Sequence, residues 1–397
     1  NGEWERAIGY YEQTLEILER VGNIHGMATT YMNLGNVHRQ KGAWEQALGY
    51  YERSLEILKR VGDIHGMART YNNLGIVCLQ KGDWERAIGY HEQSLETKEQ
   101  VGDIHGMAQT YGNLGNIYLQ KGEWERAISY YERSQETLER VGDIHGMAHT
   151  YNNLGNVYWQ KGEWKHAIGY YEQSLEIYER VGDIHAMATT YMNMGSVYGQ
   201  KRELDRAIGH YDRSLETLER VGDIHGMATA YNNLAYVHLQ KGEWERAIGY
   251  FERSLEILEQ VGDIHGIATA YVNMGNVCRQ KGAWEQAIGY FERSLEILER
   301  MGDIHGMAGT YNNLGNIYEQ KGEWERAIGY YERALETIER VGDIHRMAQP
   351  YNDLGNVYRQ KGEWEQAIGY YERALETLER VGDIHGMAQI YGNLGNV

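Results

Sequence analysis

An all-α solenoid of antiparallel helix hairpins is the fold this sequence predicts. Three observations carry that expectation: an internal period of 40 residues, amphipathic stretches of helical spacing within each period, and a Lys-Gly or Gly-Asp pair wherever such a stretch stops. The period is read from Trp4, Trp44, Trp84, Trp124, Trp164, Trp244, Trp284, Trp324 and Trp364, with Leu204 in the one copy lacking Trp. The expected organisation is a half copy over 1–22 (an unpaired second helix), nine complete copies over 23–382, and a partial first helix over 383–397.

Within a copy, Asp63 precedes a periodic stretch and is placed to cap a first helix, helix A, running to about Gln80. Met67, Tyr71, Leu74 and Cys78 fall on one face of that helix and predict its buried side. Lys81-Gly82 breaks the pattern. Trp84, Ile88, His91 and Leu95 then repeat the spacing on helix B, which stops at Gly102. The Trp84 slot lies on the apolar face in every copy and reads as core. Two such helices joined by a short turn form a hairpin whose remaining apolar surface only the next hairpin can cover. Gly35 and Ala47, with their equivalents, are expected to allow close helix approach. Strand signals are absent from the sequence.

These residues resemble the tetratricopeptide family. The family's helix A wording appears here as Tyr151, Leu154, Gly155 and Tyr158, and the remainder as Gly162, Trp164, Ala167 and Tyr171. The likeness extends over essentially the whole chain and implies a right-handed superhelix with helix A lining the inner, concave wall. One departure is the missing proline after helix B, which continues instead to a Gly-Asp turn. The 40-residue version looks like the arrays of spindle-orientation adaptors and, less closely, of kinesin light chain; similar arrays flank bacterial signalling ATPases and proteases.

On that inner wall the Asn73 slot reads Asn113, Asn153, Asn193 and Asn233 in the following copies. An amide both donates and accepts, so a ladder of them can pair with an extended peptide backbone. In the resembled adaptors such asparagines hold extended partner segments. The competing reading is that each Asn bonds a helix end or the neighbouring repeat. Three other slots vary between copies. They leave an apolar track of Ile76, Leu79, Leu119, Trp159, Met192, Tyr236 and Leu239, with arginines at either end. Trp159 and Tyr236 are candidate anchors, because aromatic side chains in desolvated pockets carry most interface energy; neutral drift of exposed residues is the alternative.

Several chemistries are disfavoured. A net charge of −18 and a pI of about 5.4 argue against nucleic acid, whose phosphates demand clustered Lys and Arg. No run of 18 or more apolar residues exists and no leader-like segment follows Asn1, so no membrane insertion is expected and the reading is cytoplasmic, or extracellular if the chain forms fibres. Cys78 and Cys278 lie five copies apart and carry no disulfide framework. The ten histidines of the Ile-His slot, from His25 to His385, suggest a metal array. Copies separated by two helix layers of about 8–10 Å hold them too far apart for one ion, and first-turn packing is the expected role. No phosphate loop, zinc-protease motif or isolated acid pair occurs; no cofactor and no catalysis are expected.

Pro350 falls inside a helix A and is expected to bend or delay it. The fifth copy departs at Met194, Gly199, Arg202, Leu204 and Asp205, predicting looser packing there. The expected function is a non-catalytic interaction scaffold for a protein or peptide ligand. The alternative is a filament of copies joined head to tail, suggested by Asn1 and Val397 occupying the slots of Lys41 and Val37.

Overall fold

The computed structural model describes residues 2–397, and among them every regular element is an α-helix. In chain order the first ten are α1 (Gly2–Arg20), α2 (Ile24–Gln40), α3 (Trp44–Val61), α4 (Ile64–Gln80), α5 (Trp84–Val101), α6 (Ile104–Gln120), α7 (Trp124–Val141), α8 (Ile144–Gln160), α9 (Trp164–Val181) and α10 (Ile184–Gln200). The rest are α11 (Leu204–Val221), α12 (Ile224–Gln240), α13 (Trp244–Val261), α14 (Ile264–Lys281), α15 (Trp284–Met301), α16 (Ile304–Gln320), α17 (Trp324–Glu339), α18 (Ile344–Lys361), α19 (Trp364–Val381) and α20 (Ile384–Leu394). Even-numbered helices are the A helices and odd-numbered ones the B helices of a solenoid of hairpins. The chain divides into two compact units, Asn1–Val197 and Tyr198–Val397.

Each A helix after α2, which starts on Asn23, starts on an aspartate that the sequence marks. The Asp63 carboxylate accepts the Gly66 amide at 2.8 Å, and Asp103 does the same for Gly106 at 2.9 Å. A Cβ on Gly106 would sit 2.1 Å from the Asp103 carboxylate, so the slot favours glycine. Where Arg346 occupies it, Asp343 makes no cap bond and pairs instead with the Arg346 Nε at 3.4 Å. Within most hairpins a buried serine ties helix B to helix A: Ser134 Oγ donates to the Ala108 carbonyl at 2.9 Å, and Ser174 to Ala148 at 2.8 Å, while Ala334 and Ala374 fill the slot in the last two complete copies. Successive copies are laced by ion pairs such as Lys121 with Glu85 at 2.9 Å, exposed and screened by solvent.

The core corrects one expectation. The Trp84 slot is only partly buried, and Trp4 and Trp364 are 37% and 49% exposed. The fully buried aromatics are instead Tyr51, Tyr131 and Tyr171 in the first unit and Phe251, Phe291, Tyr331 and Tyr371 in the second. The physical reason is the glycine opposite: a Cβ on Gly35 would come 2.6 Å from the Tyr51 ring, so the missing side chain of helix A makes the cavity that helix B fills. Tryptophan, at the start of helix B, has no such cavity. The delay expected at Pro350 does not occur. Helix α18 begins at Ile344, in register with the other A helices, and runs unbroken to Lys361.

Most helix-ending glycines adopt a left-handed backbone, as at Gly182 with φ 75°. Arg202 takes the same conformation, φ 60°, in the slot where Gly162 and Gly242 stand. A side chain there costs roughly 1–2 kcal/mol. Arg202→Gly should therefore stabilise the chain by about 1 kcal/mol, read as a higher denaturant midpoint with unchanged slope; no increase would contradict the strain.

Candidate functional site: the face of the A helices

Several members of the asparagine ladder are engaged in bonds between repeats. In the first unit, Asn113 Nδ2 donates to Asn72 Oδ1 at 3.0 Å, and Asn193 Nδ2 donates to Asn152 Oδ1 at 3.2 Å and Asn156 Oδ1 at 3.3 Å. Asn153 Nδ2 faces His149 Nδ1 at 3.2 Å. In the second unit Asn273 donates to Asn232 at 3.4 Å, and Asn393 to Asn352 at 2.8 Å. Asn73, Asn113, Asn153, Asn193 and Asn233 are all partly buried. For Asn113 and Asn193 the amide nitrogen is committed to the preceding copy.

The Ile76 slot is tied to the core. In most copies where it holds Asn, its Oδ1 accepts the hydroxyl of the buried tyrosine fifteen residues on: Tyr131 to Asn116 at 2.6 Å, Tyr171 to Asn156 at 2.7 Å, and Tyr331 to Asn316 and Tyr371 to Asn356 at 2.8 Å each; Asn276 faces Phe291, which has no hydroxyl. Where the slot is Ile76, the facing core residue is His91. Where it is Tyr236, that residue is Phe251, edge-on at 5.4 Å, and the Tyr236 hydroxyl donates to Asn273 at 2.9 Å. Ile76 thus differs from the other copies together with its core partner, whereas the phenylalanine that faces Tyr236 recurs as Phe291 opposite Asn276. Leu79 and Leu119 lean on the core of the first unit and Leu239 on that of the second. Trp159 and Met192 are partly buried in the first unit, and Tyr236 is 41% exposed in the second.

One cleft of about 400 Å³ opens on this face in the first unit. Asn113, Asn116, Asn153, His105 and His149 line it around an apolar floor that includes Leu138. Its width comes from Gly112, whose slot holds Asn72, Asn152 and Met192 elsewhere; a Cβ on Gly112 would meet nothing within 4 Å. Two of the residues expected from sequence, Asn113 and Asn153, thus meet in one cleft. Gly112 and His149 were missed, although both depart from their slots and a comparison of copies would have exposed them.

The histidines of the Ile-His slot are not first-turn packing residues. His25, His105, His145, His265 and His305, 49–68% exposed, each reach the capping aspartate of the next copy at 2.7–3.7 Å. The bond from His145, with the Ala186 amide, holds the Asp183 carboxyl below the usual range. Among the described residues no three His, Cys, Asp or Glu side chains gather as metal ligands, and no helix is long and apolar enough to cross a membrane.

The family model for the tetratricopeptide repeat matches residues 1–60, 26–100, 106–180, 186–260, 226–300, 266–340, 306–380 and 346–397. No curated protein matches the sequence. Among solved structures, the signal transduction ATPase with numerous domains from Pyrococcus horikoshii, which carries a tetratricopeptide repeat sensor, is similar at 16% identity and TM-score 0.59 over 88% of this chain; the present chain spans only 55% of it. The apo quorum sensor NprR from B. thuringiensis is similar at 17% identity and TM-score 0.55, over 91% of this chain and 99% of its own. Aspartyl phosphate phosphatase F from Bacillus subtilis is similar at 14% identity and TM-score 0.54, over 91% and 95%. At these identities the likeness is one of fold alone. With the family model matching along nearly its whole length, the chain belongs to the tetratricopeptide repeat family.

Proposed function

We propose that the chain is a non-catalytic protein-protein interaction scaffold that receives an extended peptide segment along its A helices. The observation that carries this reading is the cleft at Gly112, where polar side chains surround an apolar floor. The amide nitrogen of Asn113 is bound to Asn72, so its oxygen serves as the acceptor offered to a peptide N–H. A side chain of the ligand enters over Leu138. In the same reading Asn73, Asn193, Ile76, Leu79, Leu119, Trp159 and Met192 supply further contacts within the first unit, and Asn233, Tyr236 and Leu239 do so within the second.

The test is selection of peptides from a displayed library, followed by affinity measurement on variants. Gly112→Asn fills the cleft with the residue that Asn72 and Asn152 already represent, so the fold is preserved. It should weaken binding by about tenfold or more, and Asn153→Ala by about three- to tenfold. Selected peptides that bind both variants as they bind the parent chain would overturn the reading.

A further inference from the structure

Lys98 stands where the other copies carry Leu58, Leu138, Tyr178, Leu218, Leu258, Leu298, Ile338 and Leu378. It is 6% exposed on α5 and lines a second cleft, of about 430 Å³. Its Nζ donates to the Gly106 carbonyl at 3.0 Å and to Thr110 Oγ1 at 2.8 Å. Thr110 in turn donates its own hydroxyl to Gly106 at 3.0 Å, so its oxygen is a true acceptor for the lysine. These two acceptors satisfy the two N–H groups of a neutral amine and leave its lone pair unused. An ammonium would carry a third N–H, and among the described residues no carboxylate pairs with it. The nearby Asp63 and Asp103 carboxylates are already engaged with the Gly66 and Gly106 amides.

The charged and titratable groups around this amine are Asp63, His65 and Arg69 from the α4 side, His91 on α5 itself, and Asp103 and His105 at the start of α6. Burial pushes the Lys98 amine down and the Asp103 carboxylate only partly opposes it. Lys121, Lys161, Lys241, Lys281, Lys321 and Lys361 are pushed the other way by the hydrogen bonds they donate to acidic partners.

We propose that Lys98 is a nucleophilic amine and that its cleft takes a small aldehyde or ketone, held as an imine on Nζ. The lone pair of Nζ attacks the carbonyl carbon and the C=O π pair moves to oxygen. A proton passes from nitrogen to that oxygen, and the resulting carbinolamine expels water as the C=N bond forms. No oxidant or reductant is consumed.

The test treats the full chain with 4-formylbenzoate and sodium cyanoborohydride, which traps the imine as a secondary amine, and maps labelled lysines by mass spectrometry from pH 7 to 9.5. At pH 7.5 Lys98 should be labelled severalfold faster than any other lysine, since a depressed amine holds more of its free base below its pKa. Its rate should level off at lower pH than that of Lys121 or Lys161. Lys98→Leu, which installs the residue of the neighbouring copies, should abolish this adduct while the unfolding midpoint does not fall. Labelling of Lys98 no faster than that of the surface lysines, or no labelling of it even at pH 9.5, would overturn the proposal.

Discussion

Asp353→Asn should stabilise the second unit at pH 7.5 by about 1–3 kcal/mol and change its stability by no more than about 0.5 kcal/mol at pH 4. Asp353 occupies the slot that is Asn in the other copies and is 8% exposed. Burial raises its carboxyl to about 6, and the carboxylate of Glu319 pushes the same way; the bond from Gln349 Nε2 at 2.8 Å and that from Asn352 oppose the rise only in part. The sign follows from protonation. At pH 4 and below the folded carboxyl is neutral and its burial costs little. As the pH rises from about 4 towards 6, the unfolded chain ionises this group while the folded state holds it neutral, so stability falls; the loss is complete once the folded carboxyl ionises above about 6. Asparagine keeps the shape and never ionises. Urea unfolding at both pH values decides the matter, since an equal gain at pH 4 and 7.5 would show that charge is not the cause. Glu319→Gln should make the loss smaller and end it at a lower pH, because the neighbouring charge that helps to hold the folded carboxyl neutral is gone.

Much of this architecture was legible because one 40-residue unit repeats nine times and its punctuation is chemical. Aspartate before the periodic stretch caps helix A, and glycine after it takes the left-handed turn; both are local effects that neighbouring residues decide. What was not legible depends on distances between copies. Periodicity places tryptophan and tyrosine alike on the apolar face of helix B, but only the glycine of helix A decides which of them has room to be buried. The histidines point to the next copy's aspartate, a contact 38 residues away in sequence. The pairing of Ile76 with His91 and of Tyr236 with Phe251 was present in the residues but invisible until the fifteen-residue contact was known. Lys98 escaped notice for the same reason: a charged residue on helix B reads as solvent-facing until its slot is seen to be the leucine slot. In the candidate site, Asn113 and Asn153 were found by their regularity, whereas Gly112, which makes the cleft, is an irregularity.

The tyrosine packed on glycine should be the costliest contact to break. Tyr171 is 0% exposed, its ring lies 2.5 Å from where a Cβ on Gly155 would stand, and its hydroxyl donates to Asn156 at 2.7 Å. Tyr171→Ala leaves a cavity the size of a phenol between two helices and should cost about 3–5 kcal/mol. Tyr171→Phe removes only the hydroxyl, and Asn156 Oδ1 keeps the donor from Asn193; Phe251 and Phe291 fill the same slot elsewhere. Its cost should stay near or below about 1 kcal/mol. Gly155→Ala forces the ring aside and should cost about 1–3 kcal/mol. Because the added methyl and the ring compete for one volume, Gly155→Ala in a Tyr171→Ala background should cost far less than in the parent chain, a coupling of about 1–3 kcal/mol. In a solenoid each copy is held by its neighbours, so the loss should appear first as faster hydrogen exchange in α8 to α10. Equal losses for Tyr171→Phe and Tyr171→Ala would mean that the hydroxyl, and not the packed ring, holds the hairpin; additive losses for Gly155→Ala and Tyr171→Ala would mean that the two residues do not share a cavity.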